Sequence, residues 1–521
     1  MEKPNSTSPS FSSAHSTLSS GLLLAVLWIG LLLLATWRPL ALPDEGRYGE
    51  IGRWMLVSGD WLTPRLNGIP FFHKPPLLYW LEALSMSVFG VHAWAARFVP
   101  ALHAGTMLIA LYLAARNIGG ELLARRATLM LGTSLAFLIG GQYINHDMLV
   151  ACWIGVAIWS FAASFMHGER PDVRLALIGF AACALGVLTK GLIGIALPGL
   201  VLMLWLIWTR QLSKVMRLPW LRGLSLFAVL ALPWFVLVHQ QFPTMLSYMF
   251  GTQQFSRFTG TTFNNARAWW FYLLCLVLLL FPWALFVRTT PYASLDTRQK
   301  AWLSLLWIWV IAIIGFFSIP TSKIIGYALP VIPAWALLAA IGYGEWLKNK
   351  AQLSRWLLPS LALLAVLSAV VATVSAGRFS LSQSSIDVSQ TLACEALPGD
   401  KVFVLSGFPY DLPFYTGATQ PMVIIQDWAD LRRSAGDSWQ RELFEGTEFD
   451  PLAERALQGP EALATAQTRA GNWLLLPSSM LHQDLPDGWT PLQEGANWTL
   501  LRSAGKSPET AQHKGLAGCK H

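Results

Sequence analysis

Long apolar runs alternate with short charged connectors from residue 20 to about residue 377. An α-helix rises about 1.5 Å per residue, so a run of about 20 residues crosses a bilayer core of about 30 Å. Such runs lie near 20–41, 97–116, 124–143, 148–167, 174–189, 191–209, 220–240, 268–288, 300–318, 326–347 and 355–377. The pattern predicts an α-helical polytopic membrane protein with about eleven, and at most about thirteen, transmembrane helices. The two runs flanking Lys190 are short, and a broken or re-entrant pair fits them as well.

One stretch breaks the pattern. Leu42 to Trp80 follows the first run and places Asp44, Glu45, Arg47, Glu50 and Arg53 within ten residues. Charges at the end of a membrane helix are costly unless hydrated, paired or used, so a functional site is the first reading and a solvated surface loop the second. Tyr48, Ile51 and Met55 recur at helical spacing opposite Glu50 and Arg53, which predicts a helix over Glu45–Val57 lying in the interface. Pro75 opens a second interfacial helix running through Leu77, Leu78, Leu81 and Leu84 to a stop at Gly90. Between them Gly59, Pro64, Gly68 and Pro70 allow the chain to fold back, so residues 42–90 read as a loop able to clamp a lipid head group.

After about Ser380 the pattern changes again. Short β-like runs (Lys401–Ser406, Met422–Ile425, Trp473–Leu476, Trp498–Arg502) alternate with helix-compatible polar segments (Ser438–Glu445, Pro460–Arg469), which predicts a small α/β domain over 379–502. The tail 503–521 and the Ser/Thr-rich residues 1–19 have little to bury, and disorder is expected there. The first apolar run reads as an anchor rather than a cleaved leader, because Trp37 and Arg38 follow it in place of a small-residue cleavage site.

Composition agrees with this picture. Of the 521 residues 54% are hydrophobic and only 13% charged, against about a quarter charged in soluble domains. The net charge of +8 does not indicate nucleic acid, because the Lys and Arg residues sit in the connectors. With the N-terminus cytoplasmic, every cytoplasmic connector is basic: Arg116, Arg125 and Arg126; Arg170 and Arg174; Arg210, Lys214, Arg217 and Arg222; Arg288, Arg298 and Lys300; Lys348, Lys350 and Arg355. The first loop, Asp147, Lys190, the connector 241–267, Lys323 and the C-terminal domain then share the opposite face. Cys152, Cys183 and Cys275 lie in apolar runs and read as buried hydrophobes, while Cys394 and Cys519 could pair outside the cytoplasm.

The charges on that face narrow the chemistry. Asp44 and Glu45 point about 100° apart on a helix, so one is free to act while the other pairs locally, for instance with Arg47. Asp147 opens the fourth run, where an N-cap role is the plain alternative. Lys74, Lys190, Arg257, Arg267 and Lys323 are cations on the non-cytoplasmic side, against the general trend, which suggests an anionic partner such as a lipid phosphate. His73, His92 and His103 form no metal-ligand pattern and no metal site is assigned. A divalent ion shared by Asp44, Asp147 and a substrate phosphate is nevertheless compatible with Mg²⁺ coordination.

Pro43-Asp-Glu-Gly-Arg-Tyr-Gly-Glu50, Ser58-Gly-Asp-Trp61 and His73-Lys-Pro-Pro76 with Tyr79-Trp80 resemble the first periplasmic loop of bacterial GT-C glycosyltransferases. The nearest group is the 4-amino-4-deoxy-L-arabinose lipid A transferases, related to the protein O-mannosyltransferases. Asn145-His-Asp147, Leu188-Thr-Lys-Gly191, Arg257-Phe-Thr-Gly260 and Lys323 with Tyr327 extend the resemblance over roughly 20–345. It implies a GT-C membrane domain over 20–378 that moves a sugar from a polyprenyl-phosphate carrier to lipid A, lipopolysaccharide or another envelope acceptor at the periplasmic face of the bacterial inner membrane. By position Asp44 and Asp147 look like the catalytic acids, and Glu45, Tyr48, His73, Lys74, Lys190, Arg257, Arg267, Lys323 and Tyr327 like the groups around substrate and carrier phosphate. In the lipid A transferases an acid precedes the lysine of the Lys-Pro pair. Here His73 stands there, which opens the identity of the donor sugar. Two other functions stay open: a transporter or flippase of lipid-linked sugars, and a transferase with a protein acceptor.

Overall fold

The computed structural model describes residues 11–256, 265–288, 295–348, 351–436, 438–481 and 487–503. Seven of the described helices are long and apolar enough to cross a membrane, among them Ala93–Gly132, His146–Met166, Val173–Lys190, Trp220–Gln241 and Thr297–Ser318. In hydrocarbon a helix satisfies its own backbone groups, which is why most apolar runs become helices; the run near 268–288 instead breaks into a short helix, Phe271–Leu279, and a 3-10 turn, Trp283–Phe286. The runs near 97–116 and 124–143 are joined in Ala93–Gly132, but Gly119 and Gly120 leave helical geometry and divide it. The pair around Lys190 forms two short helices, Val173–Lys190 and Ile193–Trp208. Their backbones meet at Gly186 and Gly194, where a Cβ on Gly194 would stand 2.3 Å from the Gly186 carbonyl carbon.

The chain forms two compact units. The first comprises residues 1–35, 100–232 and 267–373. Its core is aromatic: Trp159 packs on Trp302 and Trp309 with ring centroids 6.1 and 5.0 Å apart. Three of its buried indoles find a partner for the N–H, while those of Trp153 and Trp302 have none. Trp309 donates to the Pro330 carbonyl at 3.0 Å, Trp205 to Ala301 at 2.9 Å and Trp283 to the Thr133 hydroxyl at 3.0 Å. Cys152, Cys183 and Cys275 are buried free thiols, as expected of small hydrophobes.

The second unit comprises residues 36–99, 233–266 and 374–521. It joins the first loop to the C-terminal segment, whose six strands run in the order Leu457–Gln458, Val423–Ile425, Val402–Leu405, Trp473–Pro477, Trp498–Ser503, Trp489–Glu494. The first four are parallel and the last two antiparallel. Phe403, Ile425, Leu474, Leu476 and Leu501 form the core of this sheet. Cys394 is disulfide-bonded, while Cys519 and the rest of 504–521 lie outside the described residues.

The first loop departs from the sequence expectation in one respect. Its helices are Asp44–Ser58 and Leu77–Phe89, with a small hairpin, Arg65–Leu66 against Ile69–Pro70, between them. The helix Asp44–Ser58, however, has no solvated charged face. Glu50 and Arg53 are both buried and pair with each other through bonds of 2.6 and 2.7 Å, and Arg53 also donates to the Ala418 carbonyl at 2.7 Å. Ion pairing inside the unit replaces the interfacial water that the amphipathic pattern suggested.

Glu82, on the second loop helix, is also buried, and neither carboxyl oxygen has a hydrogen-bond partner. Burial, reinforced by the charge of Glu45, pushes its carboxyl well above the usual range and keeps it neutral. An acid raised in the folded state costs stability as pH climbs past its unfolded value. Glu82→Met is therefore expected to stabilise the protein by about 1–3 kcal/mol near pH 8. The gain should shrink toward pH 4.5, as read from thermal unfolding in detergent at the two pH values.

Candidate functional site

Each unit gathers part of the predicted site. In the second unit the helix Asp44–Ser58 turns its two leading acids to different ends. Glu45 is fully buried: its oxygens accept from Arg38 Nη2 at 2.9 Å, from Arg97 Nε at 3.0 Å and Nη2 at 2.7 Å, and from the Ala41 amide at 2.7 Å. Arg97 continues to the carbonyls of Arg38 and Pro39, both at 2.7 Å. Burial raises the Glu45 carboxyl, but Arg97 and Arg38 outweigh it and hold it at about 2. Glu45 thus spends its acceptor capacity within the protein, which suits an anchor and not the substrate ligand expected from sequence. Asp44 keeps its side chain 38% exposed and accepts from Arg47 Nη2 at 2.5 Å. Arg47 therefore pairs with Asp44, leaving Glu45 to Arg38 and Arg97.

Arg47 stands at the centre of this cluster. Its guanidinium lies 4.8 Å from the Tyr48 ring centroid, and its other amino group pairs with Glu442. Burial disfavours the charge, but Glu442, Tyr48 and Asp44 more than compensate and raise the Arg47 pKa well above its usual value. His73 is buried, stacks on Phe71 at 4.4 Å, and points Nδ1 toward Glu442 at 3.8 Å. Its Nε2 meets the Tyr248 hydroxyl at 2.8 Å, and Tyr248 donates to Glu445 at 2.5 Å. A hydroxyl has one proton to give, so Nε2–H is the donor to Tyr248. Lys74 is half-buried at the start of the Pro75-Pro76 turn that leads into the second loop helix.

The first unit brings Asp147, Lys190 and Tyr327 together. Asn145, not Asp147, caps the helix His146–Met166: its side chain accepts from the Asp147 amide at 2.9 Å. The Asp147 carboxylate is thereby left to pair with Lys190, with Asn145 Nδ2 donating to it at 3.2 Å. Gly326 crosses so close that a Cβ there would sit 2.0 Å from Asp147 Oδ2. Lys190 Nζ lies 4.7 Å from the Tyr327 ring centroid, and that ring stacks on Phe317 at 4.7 Å. Lys323 is buried and donates to the Arg267 carbonyl at 3.2 Å. Arg257 lies outside the described residues.

Among the described residues, no group of three or more His, Cys, Asp and Glu side chains gathers as a metal-ligand set. Asp44 and Asp147 each face a cation instead.

Sequence reasoning passed over Arg38, Arg97, Tyr248, Glu442 and Glu445. Arg97 had a signal: it is a cation at the end of an apolar run, like Lys190. Glu442 had none, since 395 residues separate it from Arg47.

Residues 17–249 match the family of dolichyl-phosphate-mannose-protein mannosyltransferases. The undecaprenyl phosphate-α-4-amino-4-deoxy-L-arabinose arabinosyl transferase 1 of Pseudomonas fluorescens Pf0-1 is 33% identical over 340 residues, 64% of this chain and 58% of that protein. The corresponding transferase of Aeromonas salmonicida is 32% identical over 346 residues, 64% of this chain and 62% of that one. The chain thus spans about three-fifths of the length of these relatives. In fold it matches the crystal structure of ArnT from Cupriavidus metallidurans bound to undecaprenyl phosphate, with a TM-score of 0.80 at 24% identity over 94% of this chain and 99% of that one. The chain is thus similar in sequence to a mannosyltransferase family over its first half and to aminoarabinose transferases over about three-fifths of its length, and it shares the fold of the ArnT structure.

Proposed function

We propose that the protein is a glycosyltransferase that takes a sugar from a polyprenyl-phosphate carrier and delivers it to lipid A or a related envelope glycolipid. The reaction would take place on the periplasmic side of the inner membrane. The observation that carries this reading is the contrast within the first loop: Glu45 is buried and fully engaged, while Asp44 beside it stays 38% exposed within a cluster of fixed charges. The names of the relatives support the carrier, and the basic connectors support the orientation.

The chemistry follows from the leaving group. As the bond from the sugar C1 to the phosphate oxygen breaks, the phosphate takes the electron pair, and a fixed cation such as Lys74 stabilises that charge. An acceptor hydroxyl oxygen bonds to C1 and its proton passes to Asp44. Where the acceptor is already a phosphate oxyanion, no proton moves and Asp44 orients it. Asp147 fixes the Lys190 ammonium, and Tyr327 offers its ring face to the same cation.

Purified protein supplied with labelled polyprenyl-phosphate sugar and lipid A is expected to move label into the glycolipid. Lys74→Met should lower kcat on the order of 10²-fold. Label crossing vesicle membranes still attached to its carrier, with no transfer, would replace this reading with that of a flippase.

A further inference from the structure

The C-terminal segment is built into the first-loop cluster. Arg65 of the loop hairpin donates to Asp450 at 2.8 Å, and Asn67 exchanges two hydrogen bonds of 2.8 Å with the Met422 backbone. These contacts seat the helix Trp439–Thr447 so that Glu442 reaches Arg47 and His73. Arg47 is thereby divided: Nη2 goes to Asp44, Nη1 goes to Glu442, and Nε is buried with no partner. An arginine facing a single carboxylate closes on it with two parallel bonds. The orphaned Nε shows a fork held open between two acids.

We propose that Glu442 is a positioning residue of the transfer site: by holding one edge of Arg47, it prevents the guanidinium from closing on Asp44. This rests on the reading of Asp44 as the acting carboxylate. Without Glu442, Arg47 turns both amino groups to Asp44 and ties down the oxygen that would take a proton or orient the acceptor. The charged and titratable groups around Asp44, Arg47 and Glu442 include Tyr48, His73, Tyr79, Tyr248 and Tyr410. None of these is altered by the substitution.

The test compares wild type, Glu442→Gln and Glu442→Asp in proteoliposomes with labelled polyprenyl-phosphate sugar and lipid A. Glu442→Gln is expected to lower kcat roughly tenfold with little change in donor KM. Glu442→Asp, still able to engage Nη1, should recover part of the rate. An unchanged kcat in the glutamine variant, or an aspartate variant no better than glutamine, overturns the proposal. Infrared spectra of the Asp44 carboxylate, assigned by subtraction of Asp44→Asn spectra, need no turnover. Its carboxylate stretching bands must shift in Glu442→Gln as the contact with Arg47 becomes two-pronged, and unmoved bands also overturn the proposal. Shifted bands in protein that transfers no sugar support the divided arginine while removing the functional reading.

Discussion

Asp44→Asn is expected to leave the protein folded and to lower sugar transfer to a hydroxyl acceptor by about 10²–10⁴-fold, the usual worth of a positioned general base. The fold should survive because Asp44 is the exposed member of its pair and makes a partly solvated contact to Arg47. Exposed pairs of this kind contribute at most about 1 kcal/mol. Donor binding should change little, since the phosphate is held by cations and not by this carboxylate. Equal thermal midpoints together with the loss in kcat would separate chemistry from folding. An Asp44→Asn protein that transfers at the wild-type rate would remove Asp44 from the mechanism, and loss only with hydroxyl acceptors would show that phosphate acceptors need no base.

Glu45→Gln, one residue further on, should have the opposite profile. It removes one partner from a buried triad and leaves Arg38 and Arg97 facing a neutral amide. Breaking a buried pair costs about 3–5 kcal/mol. The carboxyl is held at about 2 against an ordinary value of 4.5, and that difference amounts to roughly 3 kcal/mol. An acid lowered in the folded state gives stability that is present above its unfolded value and is lost as pH falls through the folded one. Wild-type stability should therefore decline from about pH 4.5 toward pH 2, and Glu45→Gln should be weak at neutral pH and lose less over the same window. Limited proteolysis and thermal unfolding across pH read both. Unchanged stability at pH 7 would reduce the triad to a surface-like contact.

Two adjacent acids thus divide structure from chemistry, and the sequence carried only half of that division. The 100° turn between neighbours on a helix predicts that Asp44 and Glu45 serve different ends, but Arg47 was the nearest candidate partner for either. Arg97 wins Glu45 through tertiary packing across 52 residues. The membrane helices were legible because hydrocarbon imposes length and apolarity on each segment separately. Asp147 was legible as a helix start, and only the Asn145 side chain reveals that capping is already provided for. In the sheet, the runs at Val402, Val423, Trp473 and Trp498 stood out because they are short and mostly apolar. Trp489–Glu494 did not, because it is an outer strand carrying Pro491 and mostly exposed residues. Glu442 and Glu445 were silent because a polar helix near a chain's end gives no sign of what it will touch.

The close approach of Gly186 and Gly194 has a genetic consequence. Neither residue carries a functional group, so a substitution scan guided by charge would pass over both. Yet any larger side chain at Gly194 must push the Ile193–Trp208 helix away from its neighbour, and Lys190 lies in the turn between them. An unbiased screen for lost envelope modification should therefore recover alanine and valine at two chemically inert positions, as though they belonged to the active site.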